Sequence, residues 1–265
     1  MTNPGPAHLL FILVALAMCG FARAETVDRP IQDDVFYFVL PDRFHNADPG
    51  NDTGGYGGDK FGHGFDPTDK AFYHGGDLKG LTAKLGYLQG LGITAIWMGP
   101  IFKNKPVQTD ANGTSAGYHG YWVTDFTQVD PHLGTNDDLK TLVAQAHARG
   151  IKVFFDIIVN HTADVIQYRE CHDPTYDGPG KAGPGNACKY RTKAEYPYTT
   201  RGGVDGPPIN PGFLGDSIQT EENFAKLTDP RWAYTPYVPE VEQNRKVPAW
   251  LNDPLYYHNR GETTY

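Results

Sequence analysis

The chain has 265 residues, 39% of them hydrophobic and 13% aromatic, with a formal charge of −8. That is enough apolar material to bury one substantial core, so the protein is globular. The acidic balance makes nucleic acid and anionic membranes poor partners, because both repel net negative charge.

Taken from the N-terminus, residues 9–22 (LLFILVALAMCGFA) form an apolar run too short to span a bilayer comfortably, and Ala22, Arg23 and Ala24 follow in a small-x-small pattern. This predicts a secretory signal peptide over residues 1–24 and an exported product, secreted or periplasmic, that is free of the membrane after cleavage. Cys19 leaves lipoprotein processing open as an alternative. Loss of Arg23 with the signal would bring the charge to about −9.

Val35 to Leu40 (VFYFVL) reads as a strand. Leu78, Leu81, Leu85 and Leu88 then recur at helical spacing, with Asp77 in the N-cap position. Ala95 to Met98 (AIWM) is a second strand, stopped by Gly99 and Pro100. Leu139, Leu142, Val143 and Ala146 repeat the helical stripe; Thr135 and Asp138 make a capping box, Arg149 sits in the last turn and Gly150 ends it. Lys152 to Val159 is the third strand. Strand, helix, strand, helix, strand implies an α/β protein with parallel strands and right-handed crossovers.

Beyond His161 the texture changes. Twelve of the 21 prolines lie between Cys171 and Pro254, among Gly and Tyr and without a sustained period, which predicts an irregular inserted domain. Trp232, Trp250, the tyrosines and a cysteine pair offer it something to pack. With Cys19 removed, Cys171 and Cys188 remain, and an even pair in an oxidising compartment predicts a disulfide, two free thiols being the alternative.

The third predicted strand runs out through DIIVNH (156–161), where alternation would place Asp156 and Asn160 on one face and His161 on the other. Polar groups at the C-terminal end of a parallel strand are what barrel enzymes show. PDRFHNADPGND (41–52), GGDLKGLTAKLGYLQGLGITAIWMGPIF (75–102), GYHGYWVTDFTQVDPHLGT (117–135) and DIIVNH, in this order and spacing, resemble the alpha-amylase family, glycoside hydrolase family 13. The first and third look closest to its cyclodextrin glucanotransferase and bacterial alpha-amylase branches.

The resemblance implies a (β/α)8 TIM barrel, incomplete here: residues 25–161 carry its first three strands, and residues 162–265 form a B-domain-like insertion that ends before strand 4. It implies a retaining enzyme acting on alpha-1,4-glucosidic bonds of starch or maltodextrin, and we expect a monomer. His119, Tyr121, Trp122 and His161 match positions lining the subsite for the sugar at the scissile bond. An aromatic face stacks on a sugar's C–H face and imidazoles donate to hydroxyls. Asn46, Asp48, Asn51, Asp52, Gly75 and Asp77 match a Ca2+ loop, hard oxygens suiting that ion; Asp77 serves both ion and helix, or only the cap. Asn160 matches a ligand of a second Ca2+, and Asp156 is read as structural or orienting.

Retention needs two carboxylates close together. The family places its nucleophile, acid and further Asp after strands four, five and seven, and none of those motifs occurs here. No catalytic residue is therefore assigned, and the chain is read as the N-terminal portion of a longer enzyme. A catalytically inactive glucan-binding module is the alternative; Asp125 and Asp156 would serve in an unrelated Ca2+-dependent enzyme.

Overall fold

The structure, a computed structural model, describes residues 28–110, 113–178, 181, 188–190, 218–225, 234–257 and 261. The expected signal peptide with Cys19 and the packing role given to Trp232 lie outside the described residues.

Strand β1 (Phe36–Val39) pairs in parallel with β2 (Ala95–Met98), and β2 with β7 (Lys152–Phe155), in the spatial order β1-β2-β7. Between β1 and β2 run helices α1 (Lys60–His63), α2 (Leu78–Ala83) and α3 (Leu85–Gly90). Between β2 and β7 come β3 (Phe102–Asn104), β4 (Val107–Asp110), β5 (Gly113–Ala116), β6 (Val123–Val129) and α4 (Asn136–His147).

One face of the sheet, with Val39, Ile96 and Met98, packs on Leu78, Leu81, Leu85, Leu88, Leu142 and Ala146. The four leucines of the stripe are all fully buried. They do not lie on one helix as their spacing predicts. The Thr82 hydroxyl donates back to the Leu78 carbonyl at 2.7 Å, a bond that bends helices, and Lys84 N–H divides between the Gly80 and Leu81 carbonyls. The chain restarts as α3 with the leucine face unchanged.

The helix starts follow the caps. Asp77 accepts the Gly80 N–H at 2.6 Å, and Thr135 and Asp138 bond reciprocally as a full capping box ahead of α4. Past α4, Gly150 takes φ +71°, the left-handed turn that stops a helix.

The opposite face of the sheet is aromatic. Phe38 meets Trp97 edge-on at 5.3 Å and Phe36 lies 5.0 Å from Phe154, with Phe36, Phe38 and Trp97 all exposed.

The third predicted strand is shorter than its pattern. β7 stops at Phe155, and Ile157 and Val159 are 65% and 79% exposed. Its neighbour decides this: β2 ends before Gly99 and Pro100, so the last ladder bond runs from Asp156 N–H to the Met98 carbonyl at 3.0 Å. The alternation expected for Asp156, Asn160 and His161 is therefore absent, and 156–161 is a loop.

β3 pairs antiparallel with β6, and β4 with β5 as a hairpin; neither pairing has a local signal in the sequence. In the insertion, β8 (Gln167–Tyr168) pairs with β9 (Pro236–Tyr237), and Cys171 is joined to Cys188 with Cα atoms 5.7 Å apart. Trp250 is 56% exposed and touches Tyr256 edge-on. The return segment docks on β6: Val247 N–H donates to the Thr124 carbonyl at 2.8 Å, and Phe126 N–H to the Val247 carbonyl at 3.0 Å. No helix of the described residues is long and apolar enough to cross a membrane.

Candidate functional site

The 117–122 loop is held from below. Gly120, at φ +84°, passes so close to Pro100 that a Cβ would lie 2.0 Å from its carbonyl oxygen, so only glycine fits. Buried Asn104 accepts the Trp122 N–H at 2.6 Å and donates to the Phe102 carbonyl. Arg43 lies 3.9 Å over the Tyr118 ring.

On this base the four predicted sugar residues come together around Tyr121. His119 stacks on Tyr121 at 5.7 Å and meets Trp122 edge-on at 4.6 Å. The Tyr121 N–H donates to His119 Nδ1 at 3.0 Å, which leaves Nε2 of a neutral ring as the N–H donor. Burial, helped by the Arg43 charge, pulls the His119 pKa down to about 4, so the ring is neutral at pH 7. His161 Nε2 donates to the Tyr121 carbonyl at 3.1 Å, and the Tyr121 hydroxyl donates to Asp156 Oδ2 at 3.1 Å. Asp156 thus orients a ring.

The expected Ca2+ loop is also assembled. Asn46 Nδ2 donates to Asp52 Oδ1 at 2.7 Å, and a Cβ on Gly75 (φ +89°) would come within 2.6 Å of both atoms. Asn46 Oδ1 and Asn51 Oδ1 are buried and have no hydrogen-bond partner among the described residues. Asp52 is pushed up first by burial, with the charges of Asp77 and Asp48 acting in the same direction. Stranded amide oxygens beside a carboxylate that resists ionising are what a hard cation relieves, so these residues fit Ca2+.

Two members are otherwise engaged. Asp48 binds Lys79 at 2.5 Å, and Asp77 accepts three main-chain N–H groups, from Ala47, Asp48 and Gly80. The cap role of Asp77 is thereby seen directly. Among the described residues no group of three or more His, Cys, Asp and Glu is gathered as a metal site; the loop's spare donors are amides. Asn160 is exposed and makes no side-chain hydrogen bond among the described residues.

A family profile described as "Alpha amylase, catalytic domain" matches residues 38–198. The chain belongs to the alpha-amylase family. An alpha-amylase of Streptomyces lividans is 54% identical over 202 residues, 76% of this chain and 20% of that protein. The periplasmic alpha-amylase of Escherichia coli K12 is 44% identical over 144 residues, 50% of this chain and 20% of that protein. A cyclomaltodextrin glucanotransferase of Klebsiella oxytoca is 38% identical, covering 53% of this chain and 21% of that protein. Among solved structures, an alpha-amylase of Geobacillus thermoleovorans complexed with acarbose is 45% identical, covering 56% of this chain and 27% of that chain at a TM-score of 0.42. The chain spans about a fifth of the length of these curated relatives.

The family's fold implies a (β/α)8 barrel, and among the described residues the parallel β1-β2-β7 sheet is present without a closed barrel. Several residues that hold these loops in place escaped the sequence reading. Asp42, 1% exposed, accepts the His74 and Gly75 N–H groups and pairs with Arg43, so one carboxylate links the expected Ca2+ loop to the guanidinium over Tyr118; burial pushes its pKa up. Asp130 accepts the Asn104 N–H at 2.8 Å and bonds His132 Nδ1 at 2.8 Å. His132 lies flat on Tyr73 at 3.9 Å, bonds the His63 carbonyl, and fills the space where Gly54 has no side chain. A PDRF or VDPH tetrapeptide carries no local sign of partners so distant in the chain.

Proposed function

We propose that this chain supplies the sugar-binding, Ca2+-stabilised part of an exported enzyme that hydrolyses or transfers alpha-1,4-glucosidic bonds of starch-like glucans with retention. The observation that carries the reading is the convergence of His119, Tyr121, Trp122 and His161 on one patch, with Tyr121 and His161 exposed and His119 and Trp122 half-buried. It presents ring faces and a neutral imidazole Nε2–H, the groups a glucose ring needs.

In this reading residues 1–24 are a signal peptide, 25–161 the first part of the barrel and 162–265 the B-domain-like insertion. Asn46, Asn51, Asp52 and Gly75, with Asp48 and Asp77, hold Ca2+, which when bound ties the loop after β1 to the start of α2; Asn160 contributes to a second ion. His119, Tyr121 and Trp122 orient the sugar, and His161 holds it against the Tyr121 main chain. No carboxylate here is assigned as nucleophile or acid, and those groups come from barrel segments other than β1, β2 and β7. The longer enzyme of which this chain is a part acts as a monomer.

Proton NMR of maltodextrin cleavage by the gene product should show the alpha anomer released first. An inverted first product would refute the reading. A glucan-binding module without catalysis is favoured by one observation: Asp156, the carboxylate bonded within the cluster, is engaged by Tyr121. Binding of maltodextrin with no cleavage by the gene product would select it.

A further inference from the structure

Lys246 lies in the return segment of the insertion and is 2% exposed. Its main chain is clamped: Asn252 Oδ1 accepts its N–H at 2.9 Å, Asn252 Nδ2 donates to its carbonyl at 2.8 Å, and the next residue, Val247, bonds to β6. Its amine sits 4.1 Å from the centre of the Tyr257 ring, and among the described residues it has no ion-pair partner; the charge of Asp164 acts on it from farther away. Burial pushes the amine down to about 8, so at pH 7 it is still mostly an ammonium. A buried cation without a counter-charge is costly, and the cost is relieved by an anion brought to it.

Beside Lys246 is a cavity of about 210 Å3, lined also by Val165, Ile166, Val238, Gln243 and Asn244. Asn244 is the described non-glycine residue at positive φ, +56°, a conformation that recurs at ligand clamps. We propose that this cavity is a binding site for a small aliphatic monocarboxylate, its oxygens on the Lys246 ammonium and the carboxamide N–H groups, its alkyl end against Val165, Ile166 and Val238.

The lining selects the class. A phosphate or sulfate would bring polar oxygens against three apolar side chains, and a sugar would leave the ammonium without a counter-charge. The Tyr257 ring beside the Lys246 amine carries a hydroxyl 3.3 Å from that of Thr162, next to His161, and none of the residues lining the cavity belongs to the sugar cluster. It does not depend on the glucan reading.

The test is trace acetylation of the full chain at pH 7 with peptide mass spectrometry, run with butyrate, inorganic phosphate or maltose. Butyrate should slow labelling of Lys246 saturably, at least tenfold, while exposed Lys84 and Lys140 stay unchanged, and phosphate and maltose should leave Lys246 unprotected. By calorimetry, Lys246→Met should weaken butyrate binding at least tenfold. A Lys246 rate indifferent to butyrate, equal or stronger protection by phosphate or maltose, or unchanged butyrate binding by K246M would each overturn the proposal. The labelling arm needs no variant and reads the site even where K246M fails to fold.

Discussion

His161 Nε2 lies 3.1 Å from the main-chain carbonyl oxygen of Tyr121, a residue 40 positions earlier in the chain. A carbonyl only accepts, so Nε2 carries the hydrogen. The bond joins the loop after β7 to the 117–122 loop, the two segments that build the patch.

Removing that imidazole should cost the gene product about 1–3 kcal/mol of transition-state binding, a loss of roughly 5- to 150-fold in kcat/KM on maltodextrin. His161→Gln, which can still donate to the Tyr121 carbonyl, should recover part of the loss. Equal activity of His161→Ala and wild type in steady-state kinetics would rule out the role.

Chelation should lower the melting temperature of the gene product, and added Ca2+ should restore it. An ion that binds only the folded state stabilises it by about 2.7 kcal/mol at a hundredfold excess over Kd. Asn51→Leu removes one stranded oxygen and should weaken Ca2+ binding at least tenfold by calorimetry. A melting curve indifferent to EDTA would refute the assignment.

The pH dependence of stability should carry a mark of His119. Its folded pKa, about 4, lies below the ordinary value of 6.5 because burial and then Arg43 disfavour the charged ring. Between those values the unfolded chain binds more protons, so stability rises as pH goes from 4 to 6.5, is fully present above that, and is lost on acidification. The contribution should be on the order of 1–3 kcal/mol, since the ring is partly in contact with solvent. Urea midpoints measured from pH 4 to pH 7 should show a shallower slope for His119→Gln; identical slopes would contradict it.

The uncovered face with Phe36, Phe38 and Trp97, at 43%, 52% and 45% exposure, should make the 265-residue polypeptide self-associate. Each such ring carries roughly 150–250 Å2 of surface, and among the described residues β1 and β7 each pair on one side only. Size-exclusion chromatography should show oligomers that bind a hydrophobic dye, and Phe38→Lys with Trp97→Glu should raise the monomer fraction. The same polypeptide should release no reducing ends from starch. A monodisperse, cooperatively melting chain that does so would overturn both expectations, and Asp125 and Asp156 would be the first residues to substitute.

The sequence by itself determined the three parallel strands, the buried leucine face, the starts of α2 and α4, and which residues gather around Tyr121 and around Asn46 and Gly75. Those signals are local: a cap acts over three residues and a helical stripe over three or four. Only the tertiary structure decided where each element stops and what holds the site. β7 ends because β2 reaches Gly99 and Pro100, the leucine helix breaks because Thr82 bonds back on Leu78, and β3 finds β6 across an intervening hairpin. His132 meets the His63 carbonyl from 69 residues away, and Asp42 holds Gly75 from 33 residues away. Such bonds join groups whose own neighbours in sequence look like ordinary turns, so their partners are specified by the packing of the whole sheet and its loops.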